Sequence, residues 1–337
     1  MVKLERKDIE KCSSHGRFAM SPIRVVKQHE YSWIRNFTLT GDAPKEFVRI
    51  YRFHAHPLCR KSNPNTWPAY IAKVGHKWYP NESITEYLMN QLGHVFGLTM
   101  AESELVVINN QLRFLSKYFL RSGKDQLIHG AEIFAGYLED EQLVFDIEAQ
   151  GKARDFFTLQ FVEKAVTNRF PQDKDYIMRE LVRLVLFDAV VGNNDRHYYN
   201  WGIVMPVIGK HEIRFAPIYD TARGLFWNDD DDKVRRRMSA GGNANVQQYV
   251  KKYCDGSKPK LGWEGDDNIN HFRIVEHIIR NQFYITPQEL NEMFAEQVLE
   301  NMLQSVDREF SQLMISERRE LIKSCLTYRF NTIKNLL

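Results

Sequence analysis

Cysteine is scarce in this chain and scattered. Cys12, Cys59, Cys254 and Cys325 are the only four, with no Cys-x-x-Cys among them. Such spacing offers neither a zinc site nor a disulfide framework and fits reduced thiols in a cytoplasm. No run of about 18 apolar residues occurs, so no membrane span is expected. Residues Met1 to Asp8 are charged and lack the apolar stretch of a secretory signal. A large charge of one sign is missing too. The net charge is +3 over 337 residues, too little to argue for autonomous nucleic-acid binding. Internal repeats are absent. Glycine does not occur between Gly41 and Gly75, which excludes a Gly-x-Gly-x-x-Gly phosphate loop from that stretch.

What is present divides the chain in two. Up to about residue 120, short strand-like runs alternate with turns. Phe47 to Phe53 alternates, His54 to Pro68 is a polar, proline-bearing loop, and Ala69 to Val74 is a compact strand. Asn81-Glu82-Ser83 offers caps for a helix over Ile84 to Phe96, which Gly97 ends. Strands over Ser103 to Ile108 and Leu112 to Phe119 follow, joined by the hairpin signal Asn109-Asn110. Beyond residue 121 the pattern is helical: Phe156 to Asn168, Tyr176 to Val191, His271 to Asn281 and Pro287 to Ser305. The stretch from 221 to about 268 reads as irregular. The expected fold class is α+β and bilobal, protein-kinase-like. A small β-rich N-lobe would span 1–120 and a larger, mainly helical C-lobe 121–337.

The most informative stretch is Gly192-Asn193-Asn194-Asp195-Arg196-His197-Tyr198-Tyr199-Asn200, answered by Phe215-Ala216-Pro217-Ile218-Tyr219-Asp220. Phosphoryl transfer from ATP needs an Asp to accept the acceptor hydroxyl's proton, an Asn for one Mg²⁺, and a second Asp for the metals that bridge the phosphates. Asp195, Asn200 and Asp220 are the candidates. Trp201 to Met205 and Glu212 to Ala216 read as a hairpin across Gly209-Lys210, which would return Asp220 to the side of Asn200. Both are hard oxygen donors, as Mg²⁺ requires. Asp, Asn and Gly are also plain turn formers, so the loop motif alone is weak; the entry helix and exit hairpin give it weight.

A phosphate-gripping Lys on a small-lobe strand and a helix Glu to hold it would complete the site. Lys73, flanked by apolar residues in its strand, and Glu86 are the candidates, with Glu82 as a rival to Glu86. Lys117, Tyr118 and Phe119, at the end of the last small-lobe strand, occupy the position of an adenine-binding hinge. Without glycines, the phosphates would be covered by Arg60 to Trp67, using backbone amides and Arg60 or Lys61.

The runs Phe187 to Trp201 and Phe215 to Leu225, with Thr85 to Leu92 in support, resemble the HipA-like serine/threonine kinases of bacteria. The similarity spans 45 to 335. The resemblance implies a two-lobed kinase using ATP and Mg²⁺, with Asp195 as base, Asn200 and Asp220 on metal, Lys73 on phosphate and His197 beside the nucleotide. It also implies self-phosphorylation in the phosphate-covering loop, for which Ser62 is the candidate; the added negative charge there would repel ATP. Lys73 lies too early for the additional N-terminal subdomain of longer members, so the short, CtkA-type forms are the better match. By resemblance the partners are a protein substrate (an aminoacyl-tRNA synthetase or a host protein) and an antitoxin. The setting is a bacterial cytoplasm or a host cell after delivery, and the role that of a toxin or effector.

Two other readings stay open. Asp195-Arg196-His197-x-x-Asn200 also resembles the catalytic loop of phosphoinositide kinases, for which Arg235-Arg236-Arg237 would supply a headgroup patch. Asp229 to Asp232 just upstream would partly neutralise it, and a solvated loop explains both runs. The second is a non-catalytic subunit of a toxin–antitoxin complex, against which stands the full set of catalytic residue types.

Overall fold

Six strands make the first sheet. They are β1 (Arg24–Val26), β2 (Tyr31–Trp33), β3 (Lys45–Ile50), β4 (Ala69–Lys73), β5 (Ser103–Ile108) and β6 (Gln111–Lys117). Their order is β1-β5-β6-β4-β3-β2, antiparallel except for β1 beside β5. The computed structural model describes residues 23–34, 45–53, 59–74, 81–207, 212–239 and 242–337. The β5–β6 hairpin turns on Asn109 and Asn110 at φ 52° and 60°, the left-handed pair that a tight two-residue turn demands and that Asn tolerates.

Helix α1 (Glu82–Val95) crosses between β4 and β5 and packs on β5 and β6. Ile84, Leu88, Met89 and Leu92 recur at helical spacing and are fully buried, each worth about 1.5–3 kcal/mol of transfer free energy. Their core is continuous with that of the helical part, for Tyr87 meets Phe310 at 5.6 Å between ring centroids. A smaller cluster, including Val48, Ile50, Val106 and Leu115, fills the other face of the sheet.

A second sheet, β7 (Asp125–His129), β8 (Gly202–Pro206) and β9 (Arg214–Phe215), is antiparallel throughout. The expected hairpin is therefore present as β8–β9, its turn signal lying outside the described residues. Helices α2 (Gly130–Leu138), α3 (Glu141–Ala149), α4 (Ala153–Phe156), α5 (Leu159–Arg169) and α6 (Lys174–Val191) lie between β7 and β8 in the chain, with α2 packed on β7 and α6 on β9. Next come α7 (Asp231–Ser239), α8 (Gly242–Asp255), α9 (His271–Arg280), α10 (Pro287–Met293), α11 (Glu296–Phe310) and α12 (Ser316–Lys334).

Two expectations are corrected here. The stretch after Asp220 is not irregular, since it carries α7 and α8. Helix α7 has Val234 alone buried, so no apolar stripe announces it; acidic residues at its start and basic ones at its end hold it instead. The expected helix over Pro287 to Ser305 is two helices broken near Phe294, because Phe294 and Ala295 turn the chain into the core between them. The two lobes are tied at their seam by Ala101 N donating to Ile218 O (3.0 Å) and Ile218 N to Thr99 O (2.8 Å). That tie sets the backbone two residues before Asp220.

Candidate active site

Lys73 ends β4 with its ammonium turned inward, where burial would be costly without partners. It has two. Nζ lies 2.6 Å from Glu86 Oε1 on α1 and 2.9 Å from Asp220 Oδ1. Burial alone would lower the Lys73 pKa, but the Asp220 and Glu86 carboxylates outweigh it and raise it, keeping the ammonium charged. Burial pushes Glu86 up, to about 7, against the pull of Lys73. Burial also acts to raise Asp220, yet Lys73, Lys45 and Arg196 outweigh it and hold the carboxyl well below the usual range. Of the two rivals, Glu86 is thus the residue on Lys73. Asp220 takes φ 56°, a left-handed conformation that Asp adopts more readily than most side chains.

The catalytic-loop candidate starts where α6 stops at Gly192, φ 65°. A β-carbon there would lie 2.7 Å from the Arg329 guanidinium, so glycine is required on two counts. The loop has almost no regular structure and is held by side chains. Arg196, nearly buried, donates from Nε to Asp188 Oδ2 (2.9 Å) and from Nη2 to Asp188 Oδ1 (3.2 Å). Its Nη1 donates to both Asn200 O (2.8 Å) and Tyr219 O (2.9 Å). One guanidinium nitrogen therefore joins the backbones of residues 200 and 219, which brings Asn200 and Asp220 to the same place. Asn200 Nδ2 donates back to Asp195 O (2.8 Å), so its side-chain carbonyl oxygen is the end that could hold a metal.

Below the loop, His271, first residue of α9, touches Asn193 O through Nε2 at 3.0 Å and Ser257 Oγ through Nδ1 at 3.1 Å. Burial, reinforced by the Arg329 charge, pushes its pKa down to about 3, so the ring is neutral and one of its nitrogens donates, Nε2 facing Asn193 O and Nδ1 also facing Ser257 O at 3.2 Å. Arg329, fully buried, donates to Ala189 O (2.8 Å) at the end of α6.

Asp195 is 23% exposed in its side chain and pairs with Arg223 at 3.2 Å. Burial raises its pKa, while Arg223, His197 and Lys260 act to lower it. A raised proton affinity suits a general base. His197 is lowered by burial against the nearby Asp195 carboxylate, and its Nδ1 accepts from Tyr199 N at 3.2 Å. Lys117 Nζ lies on Glu102 at 2.7 Å, at the partly exposed end of β6. Tyr118 N donates to Ala69 O (2.9 Å) and its ring packs on Phe47, while the Phe119 ring lies 5.9 Å from that of Tyr219. Ser62 is exposed on a turn closed by Asn63 N to Arg60 O (2.9 Å) and braced by Trp67 Nε1 to Arg60 O (2.8 Å).

The geometry brings Lys73, Glu86, Asp195, Asn200 and Asp220 to the seam of the two parts. Lys117 and Ser62 stand apart from those direct contacts. Sequence reasoning missed Asp188, Arg223 and His271 and gave Arg196 no role. Arg196 stood inside the motif and could have been found there. His271 carries no local signal, for its partner is 78 residues away. Among the described residues no group of three or more His, Cys, Asp or Glu is arranged to hold a metal by itself. Also among them, no helix is long and apolar enough to cross a membrane.

A small curled sheet set on a helical body, with a Lys–Glu pair facing an Asp-bearing loop, defines the two-lobed protein-kinase-like fold. The chain belongs to the HipA-like C-terminal domain family, whose family model matches residues 37–309. It is 22% identical over 252 residues to the serine/threonine-protein kinase CtkA of Helicobacter pylori, covering 72% of each. The crystal structure of the H. pylori proinflammatory kinase CtkA matches with a TM-score of 0.65 at 16% identity, over 93% of this chain and 96% of that one. HipA of Shewanella oneidensis, solved with HipB and operator DNA as a toxin–antitoxin system, matches with a TM-score of 0.51 at 12% identity. That match covers 90% of this chain and 66% of the other. At these identities the solved structures speak for the fold.

Proposed function

We propose that this chain is an ATP- and Mg²⁺-dependent protein serine/threonine kinase, with lobes over 1–120 and 121–337. The observation that carries the reading is Lys73 bridging Glu86 and Asp220 while Arg196 joins the backbones beside Asn200 and Asp220. A buried ammonium between two carboxylates is a costly arrangement that a merely structural position does not need. In this reading Asp195 takes the proton of a serine or threonine hydroxyl as its oxygen attacks. Lys73 orients the phosphates, and His197 and the 117–119 segment flank the nucleotide.

Asn200 and Asp220 fit Mg²⁺. Both present hard oxygen, and a site with few protein ligands is what an ion sharing phosphate oxygens uses. When bound, the ion would neutralise charge on the phosphates. The lipid-kinase alternative is disfavoured because its basic patch is largely committed: Arg235 pairs with Asp232 at 3.0 Å and Arg237 with Asp229 at 2.5 Å.

A protein substrate fits a cytoplasmic enzyme or one delivered into a host cell. An aminoacyl-tRNA synthetase and a host protein are the two classes to try first, and an antitoxin is the partner to seek in a pull-down. Purified protein incubated with γ-labelled ATP, Mg²⁺ and a cell lysate is expected to label a protein band on serine or threonine. Label in lipid vesicles and none in protein would overturn the reading. Self-phosphorylation is expected at Ser62, whose exposure on a braced turn makes its hydroxyl accessible. Ser62→Ala should lose the label from its peptide, and phosphate found only elsewhere would reject the site.

A further inference from the structure

We propose that Arg223 is a catalytic cation of the transfer reaction: it pairs with Asp195 and, with ATP bound, turns to the γ-phosphate. This rests on the kinase reading above.

The root of the residue is fixed and its head is not deeply buried. Asn194 N donates to Arg223 O at 3.2 Å, so the backbone of residue 223 is docked on the catalytic loop. Gly224 follows, where a β-carbon would lie 2.6 Å from Val191 O and 3.0 Å from the Met89 side chain, so the backbone packs closely on α6 and no side chain fits there. The side chain, 30% exposed, reaches Asp195 at 3.2 Å and lies over the Trp227 ring at 5.3 Å.

The other cations of the site have different duties. Lys73 and Arg196 are buried, one between Glu86 and Asp220, the other on Asp188 and two carbonyls. Lys117 pairs with Glu102. Arg223 is the cation in direct contact with the proton acceptor, three residues after Asp220, while Lys260 acts on Asp195 and Lys45 on Asp220 through their charge.

A guanidinium on Asp195 lowers its affinity for the hydroxyl proton, against the rise that burial gives. A phosphate terminus is the stronger partner, because it is more highly charged than a carboxylate and accepts a bidentate guanidinium. The stretch that precedes Lys73 lacks a Gly-rich phosphate loop, which leaves more of the phosphate charge to side chains. In the step itself the acceptor oxygen forms a bond to the γ-phosphorus, and the bond from that phosphorus to the bridging oxygen breaks. That oxygen leaves with the electron pair on ADP, and the hydroxyl proton goes to Asp195. Arg223 then faces charge on the transferring oxygens.

The test is calorimetric titration of wild type, Arg223→Gln and Arg223→Lys with a non-hydrolysable ATP analogue and with ADP, both with Mg²⁺. Arg223→Gln is expected to weaken the triphosphate about tenfold and ADP less than about twofold, with Arg223→Lys between, since Lys keeps the charge without the fork. Turnover of Arg223→Gln should fall about 100-fold. Equal weakening of both nucleotides, or turnover within about twofold of wild type, overturns the assignment. Wild type binding neither nucleotide overturns the kinase reading and this one with it.

Discussion

Asp195→Asn is expected to lower phosphate transfer about 10²- to 10⁴-fold while leaving Mg²⁺–nucleotide affinity within about threefold. The amide keeps the size of the carboxylate and can still meet its surroundings, but it cannot take a proton. The carboxylate's own partner is Arg223, and the loop's other anchors do not use it. The loop is held through Asp195 O by Asn200, and through Arg196, Asp188 and His271 from below. Asp220→Ala should behave differently, losing Mg²⁺-dependent turnover and nucleotide affinity together. It removes the carboxylate proposed for Mg²⁺ and also leaves Lys73 with Glu86 alone. Stopped-flow or calorimetric binding beside a turnover assay separates the two. If Asp195→Asn transferred phosphate at the wild-type rate with binding intact, Asp195 would not be the base.

The site was readable in the sequence to the extent that its parts are local. Asp195 and Asn200 share one loop, Asp220 returns on the β8–β9 hairpin, and Lys73 sits in a run whose neighbours are apolar on both sides. Glu86 could be preferred to Glu82 by its place beside the apolar stripe of α1, and Lys73 does meet Glu86. What escaped is what acts at long range. Asp188 and Arg196 are eight residues apart on different elements, and neither periodicity nor composition reveals a buried bidentate pair. Helix α7 escaped for another reason. Its stability comes from ion pairs and tertiary contacts, Asp229 with Lys233 and Arg237, and Arg318 with Asp231, and not from an apolar face. Read without the partners, Asp229 to Asp232 and Arg235 to Arg237 look like solvent-facing charge. In the fold, Asp229 is 4% exposed.

The same long-range support predicts a specific acid sensitivity. His271 is buried and its folded pKa is about 3, against 6.5 as the ordinary value, with burial the main cause and the Arg329 charge adding to it. A lowered histidine pKa means the unfolded chain binds the proton more readily below pH 6.5. Stability is therefore complete above 6.5 and lost as pH falls from there towards 3, at about 1.4 kcal/mol per pH unit, or about 3 kcal/mol by pH 4.5. Carboxylates titrate in the lower part of that window as well, so the wild type alone cannot isolate the effect. His271→Gln can, because its amide N–H is able to replace the bond to Asn193 O but does not titrate. At pH 7.5 the variant should be less stable by about 1–2 kcal/mol, for the ring's packing and the Ser257 contact are lost. In urea unfolding at pH 7.5, 6, 5 and 4.5, that deficit should shrink and then change sign near pH 5–5.5. A deficit constant across the series would mean that His271 is not a buried neutral ring. Since the carbonyl it holds belongs to Asn193, whose Oδ1 in turn accepts from Asp195 N at 3.2 Å, wild-type turnover should fail on acidification before the global fold does.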